Sequence, residues 1–446
     1  MLRFDFANLF QPRVSAGITP EEQNALLPAF AQALQRVKHE RPGFVSLLDD
    51  LGYLDAVVQC AQELRGFEDF VVLGIGGSAL GNIALQNSLR PSTWNRLPRE
   101  KRNGSPRIHV WDNVDPEWIF SELELLDLSK TVFNVISKSG TTAEAMANFL
   151  VVRQKLQDKG LEASKHMVFT TDPERGVLHE IARAEGIGTL HIPPEVGGRF
   201  SVLTPVGLLS AAVSGIDIVK LVSSAKEARD RLLQEPPESN DALRFALTQY
   251  AFFRKGVHVS VMFPYANALY SWADWFRQLW AESLGKQKDT SGNDVFSGPT
   301  PVKALGATDQ HSQVQLYNEG PFDKVFTLVR VEHFRHELQI PPRYAHIEAL
   351  SYLGNATMSK LLNSEMLATR HALTSHQRPN CTLSFPVIDE QSIGEFIFTM
   401  ELATTLYGFA AGINPFDQPG VEAGKKATYA LMGRKGYEQL AAEILE

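Results

Sequence analysis

From about residue 68 the chain alternates between short, apolar, β-rich runs and stretches long enough for helices, and nothing else in the sequence narrows the fold as much. Runs at 70–74, 107–112, 131–136, 166–170 and 189–192 are separated by helical segments near 78–90, 115–128, 141–158 and 174–186, with a further helix from 204. Strands that alternate with helices form a parallel sheet covered on both faces. The second half repeats the theme more loosely. Strands are expected there at 257–263, 303–306, 324–331 and 382–387, and helices near 267–284, 310–317, 355–376 and 391–411. The expectation is an α/β chain with two doubly wound parallel-sheet domains, residues 51–215 and 216–446, behind an N-terminal helical arm over residues 1–50. The boundary falls in a charged stretch near 215–240 that contains Glu235-Pro236-Pro237-Glu238. In the arm, Thr19-Pro20-Glu21-Glu22 supplies an N-cap, a proline at the first helical position and a capping-box glutamate. Pro28 is expected to kink or interrupt that helix.

Composition removes several function classes. With 446 residues, 44% apolar and 21% charged, the chain is neither disordered, collagenous nor a disulfide scaffold. Lys and Arg total 43 against 51 Asp and Glu, a net charge of −8, and there is no basic run. Neither nucleic acid nor an anionic membrane is therefore an expected partner, and an anionic ligand must be held locally by a few placed cations and N–H groups. Cys60 and Cys381 are far apart and form no Cys-x-x-Cys pair, so they read as buried, inert thiols in a reducing compartment. Asp5 breaks what a signal peptide would need as an apolar core. The most lipid-like stretch, 396–413, contains Glu401, three threonines and two glycines, and reads as a buried core helix. The expected location is cytoplasmic.

In open α/β sheets ligands lie at the carboxyl ends of strands, so the strand-to-helix loops are where chemistry is sought. The first, Gly74-Ile75-Gly76-Gly77-Ser78-Ala79-Leu80-Gly81, formally fits G-x-G-x-x-G/A. No acidic residue closes a second strand about 20 residues later, as a dinucleotide site requires, and no Gly-Lys-Ser/Thr follows for a Walker motif. What remains is a turn that lets backbone approach a ligand, or simply a tight turn. The second loop, Ser137-Lys138-Ser139-Gly140-Thr141-Thr142, places four hydroxyls and a glycine before a helix. A single cap needs one such residue; four in six suit a phosphate monoester.

Four further segments supply charge. Gly197-Gly198-Arg199-Phe200-Ser201 clears space around an arginine that either neutralises an anion or is solvated at a turn. In the aromatic helix from Trp272, Gln278 and Glu282 share one face, and a carboxylate against aromatic walls is expected to gain proton affinity. A solvated helix-end glutamate is the alternative. His311 opens a helix in Gly306-Ala307-Thr308-Asp309-Gln310-His311, where a structural histidine is equally natural. Lys425 and Lys426 follow Gln418-Pro419-Gly420-Val421-Glu422-Ala423-Gly424 and would ordinarily be surface charges. His333-x-x-His336-Glu337 has neither zinc-helix order, no aspartate cluster suits magnesium, and Gly-x-Ser-x-Gly is missing. A phosphate cradle, a glutamate, a histidine, an arginine and a lysine suit proton transfer on a sugar phosphate.

Six blocks in order, Gly-Ile-Gly-Gly-Ser, Ser-Lys-Ser-Gly-Thr-Thr, Gly-Gly-Arg-Phe-Ser, Ala-Glu-Ser-Leu-Gly-Lys, Gln-His-Ser and Gln-Pro-Gly-Val-Glu-Ala-Gly-Lys, resemble the glucose-6-phosphate isomerase family in its bacterial form. The blocks span residues 74 to 425. The resemblance implies two sugar-isomerase (SIS-type) domains, a homodimer with shared active sites, and no cofactor or metal. It implies that Glu282 shuttles a proton between C2 and C1, with Arg199 stabilising a cis-enediolate and His311, donated by the neighbouring subunit, opening the ring. Lys425 is similar to the lysine that assists ring opening. Ser137, Ser139 and Thr142 match phosphate-binding positions beside the Lys138 backbone, and Gly77, Ser78, Gln278 and Gln418 match substrate-lining positions. Three readings compete with that one. They are an isomerase of a related sugar phosphate, a non-catalytic sugar-phosphate sensor with no need for the four charged residues together, and a nicotinamide dehydrogenase, which lacks its ribose acid.

Overall fold

The computed structural model describes residues 1–445. The chain opens with a three-residue strand, β1 (Arg3–Asp5), followed by the helix Pro20–Glu40. Thr19 accepts from the Glu22 N–H while the Glu22 carboxylate accepts from the Thr19 N–H, the reciprocal box its sequence announces. Contrary to expectation, this helix runs on through Pro28. Pro28 and Asn24 are both exposed, so the carbonyl that a proline leaves without a partner faces water.

The first sheet comprises β2 (Asp69–Leu73), β3 (Arg107–Trp111), β4 (Thr131–Ile136), β5 (Met167–Thr171) and β6 (Gly188–His191). All its pairs are parallel, in the order β3-β2-β4-β5-β6. Such strands are buried on both faces and read as near-continuous apolar runs, as in Asp69-Phe70-Val71-Val72-Leu73. Phe70 and Val72 join Leu85 of the helix Leu80–Leu89 in one core, whereas Val71 and Leu73 join Phe149 and Val152 of the helix Ala143–Asp158 in another. The sheet is therefore doubly wound, and the strand order reverses between β2 and β4.

The second sheet uses β7 (Val259–Pro264), β10 (Thr300–Lys303), β11 (Lys324–Val331) and β12 (Asn380–Phe385) in parallel. An intervening two-stranded hairpin, β8 (Lys286–Lys288) with β9 (Asp294–Ser297), stands outside it. The order β10-β7-β11-β12 is second, first, third, fourth along the chain, the same as β3-β2-β4-β5. β1 caps the far edge antiparallel to β12, so the N-terminal arm carries a strand as well as helices.

Between the sheets lies the largest core, built on helices Pro205–Val213, Ile218–Gln234, Asp241–Arg254, Asn267–Leu284 and Glu390–Ala410. Every residue from Ser392 to Gly408 is buried, which accounts for an apolar run that crosses no membrane. Among the described residues no helix is long and apolar enough to span a bilayer.

Candidate active site

Ligands in doubly wound sheets bind outside the carboxyl ends of the strands, where the order reverses. Here that point is flanked by the loops leaving β2 and β4, and both open into one cleft of about 520 Å³. Gly77 and Ser78 line it from the first loop, and Ser137, Lys138, Ser139 and Thr142 from the second. Gly77 is required by contact. A Cβ placed there would lie 2.2 Å from the Gly198 carbonyl oxygen, so the backbone of the first loop packs directly on the turn that carries Arg199.

In the second loop Ser137 and Thr142 hydroxyls are 3.0 Å apart, and the Ser137 Oγ accepts from the Gly140 N–H at 3.1 Å. The Thr141 N–H donates to the Ser139 Oγ at 3.2 Å. The loop is a preformed ring of hydroxyls at the start of the helix Ala143–Asp158, with Gly140 at φ +64°. Lys138 brings only its backbone and stem to the cradle. Its ammonium donates to the carbonyls of Pro194 and, at 3.1 Å, Val196.

Arg199 is the best-anchored charge in the molecule. It is 3% exposed, and each of its five N–H donors has an acceptor. Nε reaches Ser283 Oγ at 2.7 Å; Nη1 reaches Gln418 Oε1 at 2.9 Å and Glu282 Oε2 at 3.2 Å; Nη2 reaches the carbonyls of Pro415 at 2.6 Å and Asp417 at 3.0 Å. Burial lowers the Arg199 pKa, while the Glu282 carboxylate opposes that shift. The arginine thus ties the C-terminal end of the helix Asn267–Leu284 to the segment that carries Gln418.

Glu282 stands a third exposed on that helix, its Oε1 accepting from Gln278 Nε2 at 3.0 Å. Its hydrogen-bond partners are the polar groups of Gln278 and Arg199. Trp272, Trp275, Phe276 and Trp280 turn into the core, where they meet Phe245, Phe396 and Tyr407, while Gln278 and Glu282 lie at the edge of that face, on the side of Trp275. At that edge the Glu282 carboxylate meets Arg199. Across the cleft, Gln418 and Lys425 complete the lining, and Lys425 Nζ donates to Glu422 at 2.8 Å.

Of the sequence-predicted residues, Arg199, Gln278 and Glu282 adjoin the cleft through Gln418 rather than lining it, and His311 neither lines it nor bonds to a residue that does among the described residues. It ends the turn Thr308–His311 after β10, exposed to solvent. Residues that sequence reasoning passed over include Ser283 and Lys286, both within the Glu282 block. Lys286 is buried, and its ammonium holds the backbone carbonyls of Glu282 at 2.6 Å and Asp417 at 2.9 Å. Burial, reinforced by the nearby Arg199 charge, keeps the Lys286 pKa below its ordinary value against the pull of Asp417. Asp172 and Arg175 also line the cleft, and the rule of looking at strand-to-helix loops would have found them after β5. Among the described residues no three His, Cys, Asp or Glu side chains are grouped to hold a metal ion.

The geometry has counterparts among known proteins. A family model described as phosphoglucose isomerase matches residues 59–439. A glucose-6-phosphate isomerase of Carboxydothermus hydrogenoformans is 44% identical, over 100% of this chain and 97% of its own length. One from Bacillus anthracis is 36% identical over 92% of each. Among solved structures, a hypothetical protein from Thermus thermophilus superposes with a TM-score of 0.87 at 37% identity, covering 97% of this chain and all of the other. A glucose-6-phosphate isomerase from Chlamydia trachomatis shares the fold, with a TM-score of 0.75 at 22% identity over 88% of this chain and 76% of its own.

Proposed function

The chain belongs to the phosphoglucose isomerase family, and from that premise we propose that it interconverts glucose 6-phosphate and fructose 6-phosphate, with Glu282 moving one proton between C2 and C1. The observation that carries this reading is the pairing of Glu282 with the buried Arg199, whose Nη1 also holds Gln418 in the wall of a cleft lined by the hydroxyls of Ser137, Ser139 and Thr142. The carbon acid is weak, so a carboxylate removes its proton usefully only where the oxyanion that develops is stabilised. Arg199 is charged and held by five partners. It offers that stabilisation as a fixed positive charge, with the Glu282 or Gln418 contact of Nη1 giving way where the oxyanion needs a donor, in support of a cis-enediolate intermediate.

One base serves both carbons if it is fixed over them, and a glutamate at the end of a long buried helix is fixed. Ser137, Ser139, Thr142 and the Lys138 backbone hold the phosphate, Gly77, Ser78 and Gln278 line the sugar's path, and Gln418 braces Arg199. The phosphate grip supplies binding energy away from the reacting carbons and sets their alignment. Lys425 assists ring opening from the opposite wall. His311 performs its part in the site of a second copy, which fits its exposed place on a turn outside this chain's cleft and makes the working form a homodimer. The reaction belongs to glycolysis and gluconeogenesis in the cytoplasm.

The test is the conversion of fructose 6-phosphate to glucose 6-phosphate, read through an NADP-linked dehydrogenase with EDTA present. Turnover by the wild type and loss in a folded Glu282→Gln protein is the expected result. A folded, inactive wild type would overturn the assignment.

A further inference from the structure

The phosphate cradle described so far contains hydroxyls and N–H groups but no free cation, although the ligand proposed for it is a dianion in a chain of net charge −8. The Lys138 ammonium is turned away onto the Pro194 and Val196 carbonyls, and Lys425 is paired with Glu422. One carboxylate, that of Asp172, lines the same cleft. The hydroxyls and N–H groups carry no formal charge to set against that carboxylate and the dianion together.

The loop that leaves β5 provides it. Asp172 Oδ1 accepts from the N–H groups of Glu174 and Arg175, each at 3.0 Å, which shapes the turn. The turn is then clamped to the hydroxyl loop by two glycines. A Cβ at Gly176 (φ +99°) would lie 2.9 Å from the Ser139 carbonyl oxygen, and one at Gly140 (φ +64°) would lie 2.8 Å from the backbone nitrogens of Val177 and Leu178. Thr171 Oγ1 also donates to the Ser137 carbonyl at 2.8 Å. Arg175 therefore sits at a fixed register beside Ser139. It is exposed, lines the cleft, and its guanidinium is in no ion pair or hydrogen bond among the described residues.

We propose that Arg175 is the charge-bearing phosphate ligand of this cleft, closing on the dianion from the β5 loop and selecting phosphorylated over neutral sugars. This inference rests on the isomerase reading for its substrate but on the cleft alone for its chemistry. A charge-assisted contact of this kind is worth about 10- to 100-fold in affinity. The experiment compares wild type, Arg175→Gln and Arg175→Lys by the KM for fructose 6-phosphate, by competitive inhibition with inorganic phosphate, and by inhibition with the uncharged polyol sorbitol. In Arg175→Gln, KM and the phosphate inhibition constant should rise together by that factor, with the sorbitol constant and kcat moving less than about threefold. Arg175→Lys should recover most of the loss. Unchanged phosphate constants would overturn the proposal, and so would an equal rise for sorbitol, which would mean the arginine only shapes the loop. If the wild type proves inactive, the isomerase reading fails, and calorimetry with inorganic phosphate on the same variants decides the role of Arg175 by itself.

Discussion

Replacing Arg199 by lysine keeps the charge and removes the fork, and the structure sets the size of the effect. Arginine meets five acceptors here with five donors, whereas an ammonium has three. At least two acceptors lose a partner. The Glu282 contact is a third exposed and solvent can replace it, and the Asp417 carbonyl keeps Lys286 Nζ at 2.9 Å, but the Pro415 carbonyl and Ser283 hydroxyl are bound to a side chain only 3% exposed. Leaving two such groups unpaired costs about 1–3 kcal/mol each, so about 2–6 kcal/mol in all. Part of this falls on folding, because the segment at 415–418 loses its tie to the helix Asn267–Leu284. The rest falls on the reaction, where a misplaced donor to the enediolate oxygen costs about 100- to 1,000-fold in kcat. The assays are urea unfolding and the coupled isomerisation assay on the same preparation. An Arg199→Lys protein with an unchanged unfolding midpoint and kcat within tenfold of wild type would refute the reasoning.

Replacing Ser137 and Thr142 together by alanine removes two hydroxyls that face each other at 3.0 Å. It should raise KM by about tenfold or more with a small change in kcat; an unchanged KM would place the phosphate elsewhere. Mixed dimers of His311→Ala and Glu282→Gln subunits, each inactive alone, should regain activity if His311 serves the neighbouring site, and verified heterodimers without activity would put it in cis. Glu401 gives a pH signature. It is 1% exposed in an apolar helix, its Oε1 has no hydrogen-bond partner, and burial raises its pKa well above 4.5. The folded state therefore holds this proton more tightly than the unfolded one, and its cost to stability is absent below pH 4.5 and grows as pH rises above it. The stability advantage of Glu401→Gln over wild type should widen between pH 5 and pH 8 in urea titrations; a constant difference would count against a buried neutral acid.

Most of both sheets was legible because parallel strands must be apolar on both faces, although the strand expected at 303–306 lies at Thr300–Lys303. Thr131–Ile136 and Lys324–Val331 stand out as such runs, bounded by turns and helices. β1 was not legible: three residues, Arg3-Phe4-Asp5, carry no period, and only pairing with β12 makes them a strand. The exposed hairpin of β8 and β9 is equally silent, since Lys286-Gln287-Lys288 is polar and its partner is local. At the site, hydroxyl density and helical spacing led to Ser137, Gln278 and Glu282. What helical spacing could not supply is the partner of Glu282, because Arg199 comes from a segment more than eighty residues earlier. Where the Lys138 ammonium goes was not legible either, because its acceptors come from a segment more than fifty residues away.

The central claim is that one carboxylate carries the proton between two adjacent carbons, and glucose 6-phosphate labelled with deuterium at C2 tests it directly. In ordinary water, partial conversion by the wild type should leave some deuterium on C1 of fructose 6-phosphate and release the remainder to solvent, because a base exposed to the cleft exchanges its proton between steps. Folded Glu282→Gln should do neither. Label transfer to C1 or release to solvent by folded Glu282→Gln at the wild-type rate would mean that another group takes the proton or that a hydride moves between the carbons without this base, and would contradict the account.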